Sequence, residues 1–313
     1  MAQEQIDIDH LADYPKTNDA LTDALNQAGT QLNLKTHTVQ LNRGRRISIA
    51  THITLEAYKS KEDQLYITNL SELFPLDAIY EGSIVNDDID IPANGSILDD
   101  ENLFLNSSKR LRPEYLMYYN LSISSDALTI HSAATRKERD ANDIQAIKAS
   151  NYLRDTWVPA FVRQLDEMLV RPIDSHSFTV EMHRQGVNVR YLGTFMRFSL
   201  LGLIARLSTL PHVRNMASIE MVARASKYIL ETKLRSAILH FKSVGATQID
   251  EEMKNYTTNI FSTILGNSER AERYFLEKLK PLISAKFQFS MDFATFAALQ
   301  RPALFSALQY HVF

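Results

Sequence analysis

The residues whose types are best suited to chemistry lie between positions 174 and 193. This stretch contains Asp174, His176, Glu181, His183 and Arg184. Imidazole and carboxylate groups act as general acids, general bases and metal ligands. Their spacing here matches neither a metal-binding nor a catalytic-triad pattern. We therefore predict that the stretch is a structural connector, and a partner-binding surface and a catalytic role stay as alternatives.

The frequent enzyme signatures are absent from the rest of the sequence. No glycines have the spacing of a dinucleotide-binding loop or a P-loop, and the zinc-protease and serine-hydrolase motifs are missing. The absence of cysteine excludes disulfides, zinc ribbons and thiol nucleophiles. Residues 81–102 are acidic but lack the EF-hand spacing, so we predict a solvated loop. The sequence predicts a protein that is not an enzyme and needs no metal or cofactor.

Charge is distributed unevenly along the chain. The formal net charge is -3, but residues 1–134 carry -10 and residues 135–313 carry +7. A basic half of this kind predicts an anionic partner, either nucleic acid or an acidic protein surface. Glu231 can pair with Lys227 and Arg235 on one helix, which accounts for part of the basic charge. The candidate contact residues are Arg184, Arg190, Arg224, Lys227 and Arg235.

The sequence predicts both strands and helices to position these residues, and therefore an α+β fold. A helix over 19–32 is followed by strand-like runs at 36–41, 46–55 and 65–70, which predict a small antiparallel meander. From residue 140 onward the periodicity is mostly helical, and residues 219–241 form the clearest helix. The first 30 residues lack the apolar run of a secretory signal, and no apolar run is long enough for membrane insertion.

The stretch at 174–193 resembles the signature of the Clu domain of the clustered-mitochondria proteins. The family pattern D-G-x-x-L-T-x-x-L-H-x-R-G-I-N-x-R-Y-L-G is matched at Asp174, Thr179, His183, Gly186, Asn188, Arg190, Tyr191, Leu192 and Gly193. Ser175 and Gln185 depart from it. Residues 220–230 and 110–114 are similar to two further family elements, and the resemblance runs from about residue 45 to 290.

The resemblance implies an N-terminal lead over 1–35, a Clu-like domain over 36–290 and a C-terminal helix over 291–313. Within the domain, residues 36–80 would be β-rich and residues 103–290 mainly helical. Family members are usually far longer, so a short stand-alone form is expected. The family's link to mitochondrial distribution and to messenger RNA implies a cytoplasmic adaptor for RNA or a ribonucleoprotein. The alternative is a protein-interaction module without RNA, including a secreted bacterial effector that imitates a host Clu protein in the host cytoplasm.

Overall fold

The computed structural model contains five strands and twelve α-helices among the residues that it describes. These residues are 4–7, 15–40, 46–59, 65–68, 70–78, 109–129, 135–200, 210–244, 249–266 and 268–312. The strands are β1 (Glu4–Asp7), β2 (His37–Gln40), β3 (Arg46–Ile49), β4 (Glu56–Lys59) and β5 (Leu65–Thr68). The helices are α1 (Pro15–Gln31), α2 (Pro113–Tyr118), α3 (Arg136–Tyr152), α4 (Val158–Asp166), α5 (Ser175–Arg184), α6 (Leu192–Leu200), α7 (Leu210–Val244), α8 (Ile249–Leu265), α9 (Glu269–Tyr274), α10 (Lys280–Phe287), α11 (Phe293–Ala297) and α12 (Arg301–Val312). The predicted α+β class is confirmed.

The chain divides into two compact units. Unit 1 consists of Met1–Trp157 with Gln185–Val187, and unit 2 consists of Val158–Arg184 with Asn188–Phe313. The segment boundaries predicted after residues 35 and 290 stay predictions. The acidic loop predicted at residues 81–102 lies outside the described residues.

The strands of unit 1 are antiparallel, as predicted, and they are distributed over two sheets. β4 lies between β1 and β5 in a three-stranded sheet, while β2 and β3 pair with each other. In the β2–β3 pair His37 faces Ile49 and Gln40 faces Arg46. Of the run predicted as a strand over 46–55, only β3 forms a strand; a turn follows it, and β4 begins after the run ends. β1 lies in a segment that sequence periodicity did not identify as a strand.

The β2–β3 pair packs against α1 to form an apolar cluster in unit 1. Its fully buried members are Leu25, Val39, Ile49, Ile53 and Leu55. Val39 lies two residues from His37 on β2, and alternate strand residues share one face, so both side chains are buried on the α1 side. The hydrophobic spacing that predicted α1 therefore supplies this cluster with Leu25.

The buried face of α3 does not include its two isoleucines. Ile144 and Ile147 are 51% and 41% exposed. The buried positions are Asn142, Ala146, Ala149 and Ser150. Small side chains allow close approach of neighbouring backbone, and the Tyr115 hydroxyl of α2 donates a 2.7 Å hydrogen bond to the Ala149 carbonyl. Small and polar residues therefore form the buried face of α3.

Unit 2 is helical, and its longest element is α7. The predicted helix over 219–241 is confirmed within a longer helix, Leu210–Val244. α12 and α5 both pack against α7, and α4, α5 and α6 contribute a buried aromatic group of Phe161, Phe178 and Phe195. In the described part of the chain, no helix is both long enough and apolar enough to cross a lipid bilayer.

Candidate functional site

Asp174, at the start of the Clu-like motif, is engaged in capping α5. Its Oδ1 accepts a 2.7 Å hydrogen bond from the Ser177 N–H, and the Ser177 hydroxyl oxygen accepts from the Asp174 N–H at 2.9 Å. The hydrogen bonds from the Ser177 backbone and then from its side chain hold the pKa of the Asp174 carboxyl below its usual range. This reciprocal arrangement satisfies helix N-terminal donors. The residue therefore acts as a helix cap.

Gly186 occupies a position that only glycine fits. Its φ is +71°, in the left-handed region, and a Cβ atom would lie 2.3 Å from the Tyr115 backbone nitrogen. The preceding carbonyl, of Gln185, accepts a 2.7 Å hydrogen bond from the Trp157 indole. The motif glycine is thus needed for close backbone packing within unit 1.

The second half of the motif is a packed turn in unit 2. The Asn188 side chain accepts a 3.1 Å hydrogen bond from the Arg190 N–H and caps a 3₁₀ turn, Val189–Tyr191. Tyr191 and Leu192 are fully buried. A Cβ on Gly193 would lie 1.9 Å from the Phe287 carbonyl oxygen of α10, so this glycine permits a close helix contact. Tyr191, Leu192 and Gly193 therefore belong to the interior of unit 2.

The two arginines of the motif region have local partners. Arg184 pairs with Glu181 at 2.9 Å, and its side chain is 70% exposed. The Arg190 guanidinium lies 5.8 Å from the centroid of the Tyr191 ring and is half-buried. Both stay candidate contact residues.

The structure does not assemble the acid/base alternative that the sequence left open. The exposed His176 ring packs 4.3 Å from the Tyr310 ring, and Asp174 is engaged as a cap. His183 is half-buried near the end of α5. Across the described ranges, no group of three histidine or carboxylate side chains is arranged to hold a metal ion.

On α7, Arg224 is part of a buried ion cluster. Its Nε lies 2.6 Å from Glu220 Oε1, which His311 Nε2 of α12 approaches to 2.9 Å. Glu220 is 2% exposed. Burial by itself would raise the pKa of its carboxyl, but the hydrogen bond from His311 and the charge of Arg224 outweigh burial and hold that pKa below its usual range. Arg224 thus serves first to neutralise a buried carboxylate.

Lys227 and Arg235 lie farther along α7 and face solvent to a greater extent. Lys227 pairs with Glu231 at 3.7 Å, the helix-surface pair that the sequence predicts, and both side chains are more than two-fifths exposed. Arg235 is exposed one turn beyond Glu231. Pairs of this kind are weak, so an anionic ligand can replace the Glu231 partner at small cost.

Lys286 of α10 joins this face, and sequence reasoning did not select it. Its Nζ lies 5.8 Å from the centroid of the Tyr228 ring of α7. Burial lowers the pKa of the Lys286 ammonium, and the positive charges of Arg224 and Lys227 lower it further, whereas Glu231 acts in the opposite direction. Lysines 59 residues apart in sequence are brought together only by helix packing.

A second cluster that the sequence did not indicate is buried in unit 1. His37 Nε2 lies 2.6 Å from Asp126 Oδ2, and His52 Nε2 lies 3.0 Å from the other oxygen of the same carboxylate. The His52 Nδ1 accepts the Thr54 N–H at 3.2 Å, and the Thr54 hydroxyl donates to Glu72. The cluster joins β2, the turn after β3 and the 123–129 segment. Its geometry indicates a structural cross-link.

Comparison with known proteins gives two family matches. Residues 8–80 match the family described as "Clustered mitochondria", and residues 169–249 match the family described as "Translation initiation factor eIF3 subunit 135". No solved structure matches the chain.

Curated relatives support the first match. The chain is 27% identical over 169 residues to the "Clustered mitochondria protein homolog" of Dictyostelium discoideum. This match covers 50% of this chain and 12% of that protein. It is 32% identical over 114 residues to the "Clustered mitochondria protein" of Arabidopsis thaliana, covering 34% of this chain and 8% of that protein. The chain is also 32% identical over 101 residues to "Protein clueless" of Drosophila ananassae, and the match covers 30% of this chain and 7% of that protein. The chain therefore matches a small part of the length of each relative.

Proposed function

We propose that this chain is a Clu-domain protein and that it acts as a non-catalytic cytoplasmic adaptor. Its partner in this proposal is RNA, or a ribonucleoprotein of the translation machinery that is linked to mitochondrial distribution or biogenesis. Protein partners of the same assembly fit the same role.

The observation that carries the proposal is the position of the second family match. Residues 169–249, which resemble a translation initiation factor subunit, include all of α7 with Lys227 and Arg235. Both side chains lie on one exposed face, and residues 135–313 carry a net charge of +7. Exposed lysine and arginine side chains bind phosphates and release the counterions that surround a nucleic acid. The match supports a translation-related partner, and the charge supports an anionic one.

Because Arg224 pairs with a buried carboxylate, the alanine variant that tests this proposal leaves Arg224 unchanged. Replacing Arg224 by alanine would leave Glu220 buried beside only His311, so weak binding by that variant would be confounded by instability. We therefore combine Lys227→Ala with Arg235→Ala and leave Arg224 in place. The matched control combines Lys137→Ala with Arg139→Ala, because these two exposed cations lie on α3.

The assay is fluorescence anisotropy of a labelled oligouridylate of about 12 nucleotides, titrated from roughly 50 to 200 mM salt. Each phosphate contact on a single strand contributes about 0.7 to the slope of log affinity against log salt. Two lost contacts therefore predict a slope that is shallower by about 1.4 in the α7 variant and unchanged in the α3 control. Absence of binding by the wild-type protein at low salt would refute RNA binding.

A specific observation favours a second candidate, a protein-interaction module without RNA. Met117, Tyr118 and Leu121 of unit 1 are 59%, 63% and 56% exposed, and the Tyr118 ring stacks on Trp157 with centroids 5.8 Å apart. Neighbouring exposed apolar side chains are typical of protein-binding surfaces. This candidate predicts that Tyr118→Ser abolishes copurification of a partner and leaves RNA affinity unchanged. The source genome would test its narrower form, a bacterial effector.

A further inference from the structure

The charge around Lys286 is not balanced by the carboxylates of the same cluster. Arg224 and Glu220 form one pair, and Lys227 shares Glu231, the carboxylate that also acts on Lys286. Among the charged groups of the described residues that act on the half-buried Lys286, Arg224 and Lys227 are positive and only Glu231 is negative, so positive charge is in excess there. Removing a charge from water without full compensation destabilises the folded protein.

The Tyr228 ring accounts for part of the Lys286 environment. A ring face attracts an ammonium group, and the Lys286 Nζ lies 5.8 Å from the centroid of the Tyr228 ring. The ring carries no net charge, so it leaves the excess positive charge in place. A group that is unfavourable for stability and lies beside exposed basic residues is typical of a binding site.

We propose that Lys286 binds a backbone phosphate of RNA, together with Lys227 and beside the ring of Tyr228. This inference rests on the proposed function, since it names the residues of the same face that hold the ligand. The phosphate supplies the negative charge that the cluster lacks. In this arrangement Lys286 contacts the phosphate from the more buried side of the site, and Lys227 and Arg235 lie closer to solvent.

The test uses two substitutions at one position. Lys286→Met retains the aliphatic stem over Tyr228 and removes the charge, whereas Lys286→Arg retains the charge. Because Lys286 is half-buried, we expect Lys286→Met to leave the melting temperature unchanged or to raise it. The same variant is expected to bind the labelled oligouridylate about tenfold more weakly, with a salt slope shallower by about 0.7. Lys286→Arg is expected to retain most of the binding.

Lys233→Met is the control, because Lys233 is an exposed lysine of α7 outside the cluster. If Lys286→Met binds like the wild type while the Lys227/Arg235 variant binds weakly, this inference is overturned and the proposed function stands. If the wild-type protein binds no RNA, the proposed function itself fails. If Lys286→Met loses affinity only together with a lower melting temperature, the role of Lys286 is structural and the inference is overturned.

Discussion

Replacement of Gly186 by alanine is the most direct test of the motif's structural role. An added Cβ would lie 2.3 Å from the Tyr115 backbone nitrogen and 2.5 Å from its Cα. Backbone atoms at this distance cannot turn aside as a flexible side chain can. Tyr115 is fully buried and its hydroxyl is hydrogen-bonded to α3, so a shift of α2 would disturb that contact also.

The expected cost has two parts. A left-handed conformation costs a non-glycine residue about 1–2 kcal/mol, and forced overpacking costs about 1–3 kcal/mol. Together they lower the free energy of unfolding by about 2–5 kcal/mol. With a urea dependence of about 1–3 kcal/mol per molar, the midpoint should fall by about 0.7 M or more.

Trp157 provides the assay for Gly186→Ala. It is the only tryptophan of the chain, and its indole donates to the carbonyl of Gln185, the neighbour of Gly186. Its fluorescence therefore reports unfolding at the altered site. Gly266→Ala serves as control, because Gly266 is not left-handed and its Cβ would come no closer than 3.0 Å to any atom, the Ser262 carbonyl oxygen, so the midpoint should shift little. An unchanged midpoint for Gly186→Ala would refute the close approach to Tyr115.

The remaining predictions concern pH and backbone strain. Because the pKa of Glu220 is lowered in the folded protein, its ionised form stabilises the fold above the ordinary value of 4.5, and this stabilisation is lost as the pH falls through the folded-state pKa. Glu220→Gln should therefore lower the melting temperature at pH 7 and reduce the fall in melting temperature as the pH is lowered. An unchanged fall in melting temperature at acid pH would contradict this. Met168, 43% exposed, has a φ of +57° after α4, so Met168→Gly should raise the free energy of unfolding by about 0.5–1 kcal/mol in urea titration. A lower value would show that its packing outweighs its strain.

Much of the secondary structure followed from local pattern. α1 and α7 were predictable because apolar residues recur at helical spacing, and the antiparallel strands because β-branched residues alternate between turns. Local pattern does not identify the buried face of α3, where Ile144 and Ile147 are exposed. Hydrophobicity alone does not tell which face a neighbouring helix will cover, and here polar and small residues form the buried face.

The candidate site was only partly accessible from sequence. The basic character of α7 and the Lys227–Glu231 pair depend on residues four apart, and helix geometry places them together. Lys286 contacts Tyr228, which lies on another helix. Glu220, the carboxylate that pairs with Arg224, is also bound by His311 near the C-terminus. No periodicity connects positions so far apart.

By itself the sequence determined the class of fold, the extent of the main helices, the sign of the charge on each half and the Clu-like motif. Tertiary structure alone decided which charges are neutralised. It engaged Arg224 with Glu220, joined His37 and His52 through Asp126, and placed Lys286 against α7. The physical reason is that local conformation depends on neighbours along the chain, whereas the environment of a charge depends on what packing brings beside it and how much water it excludes.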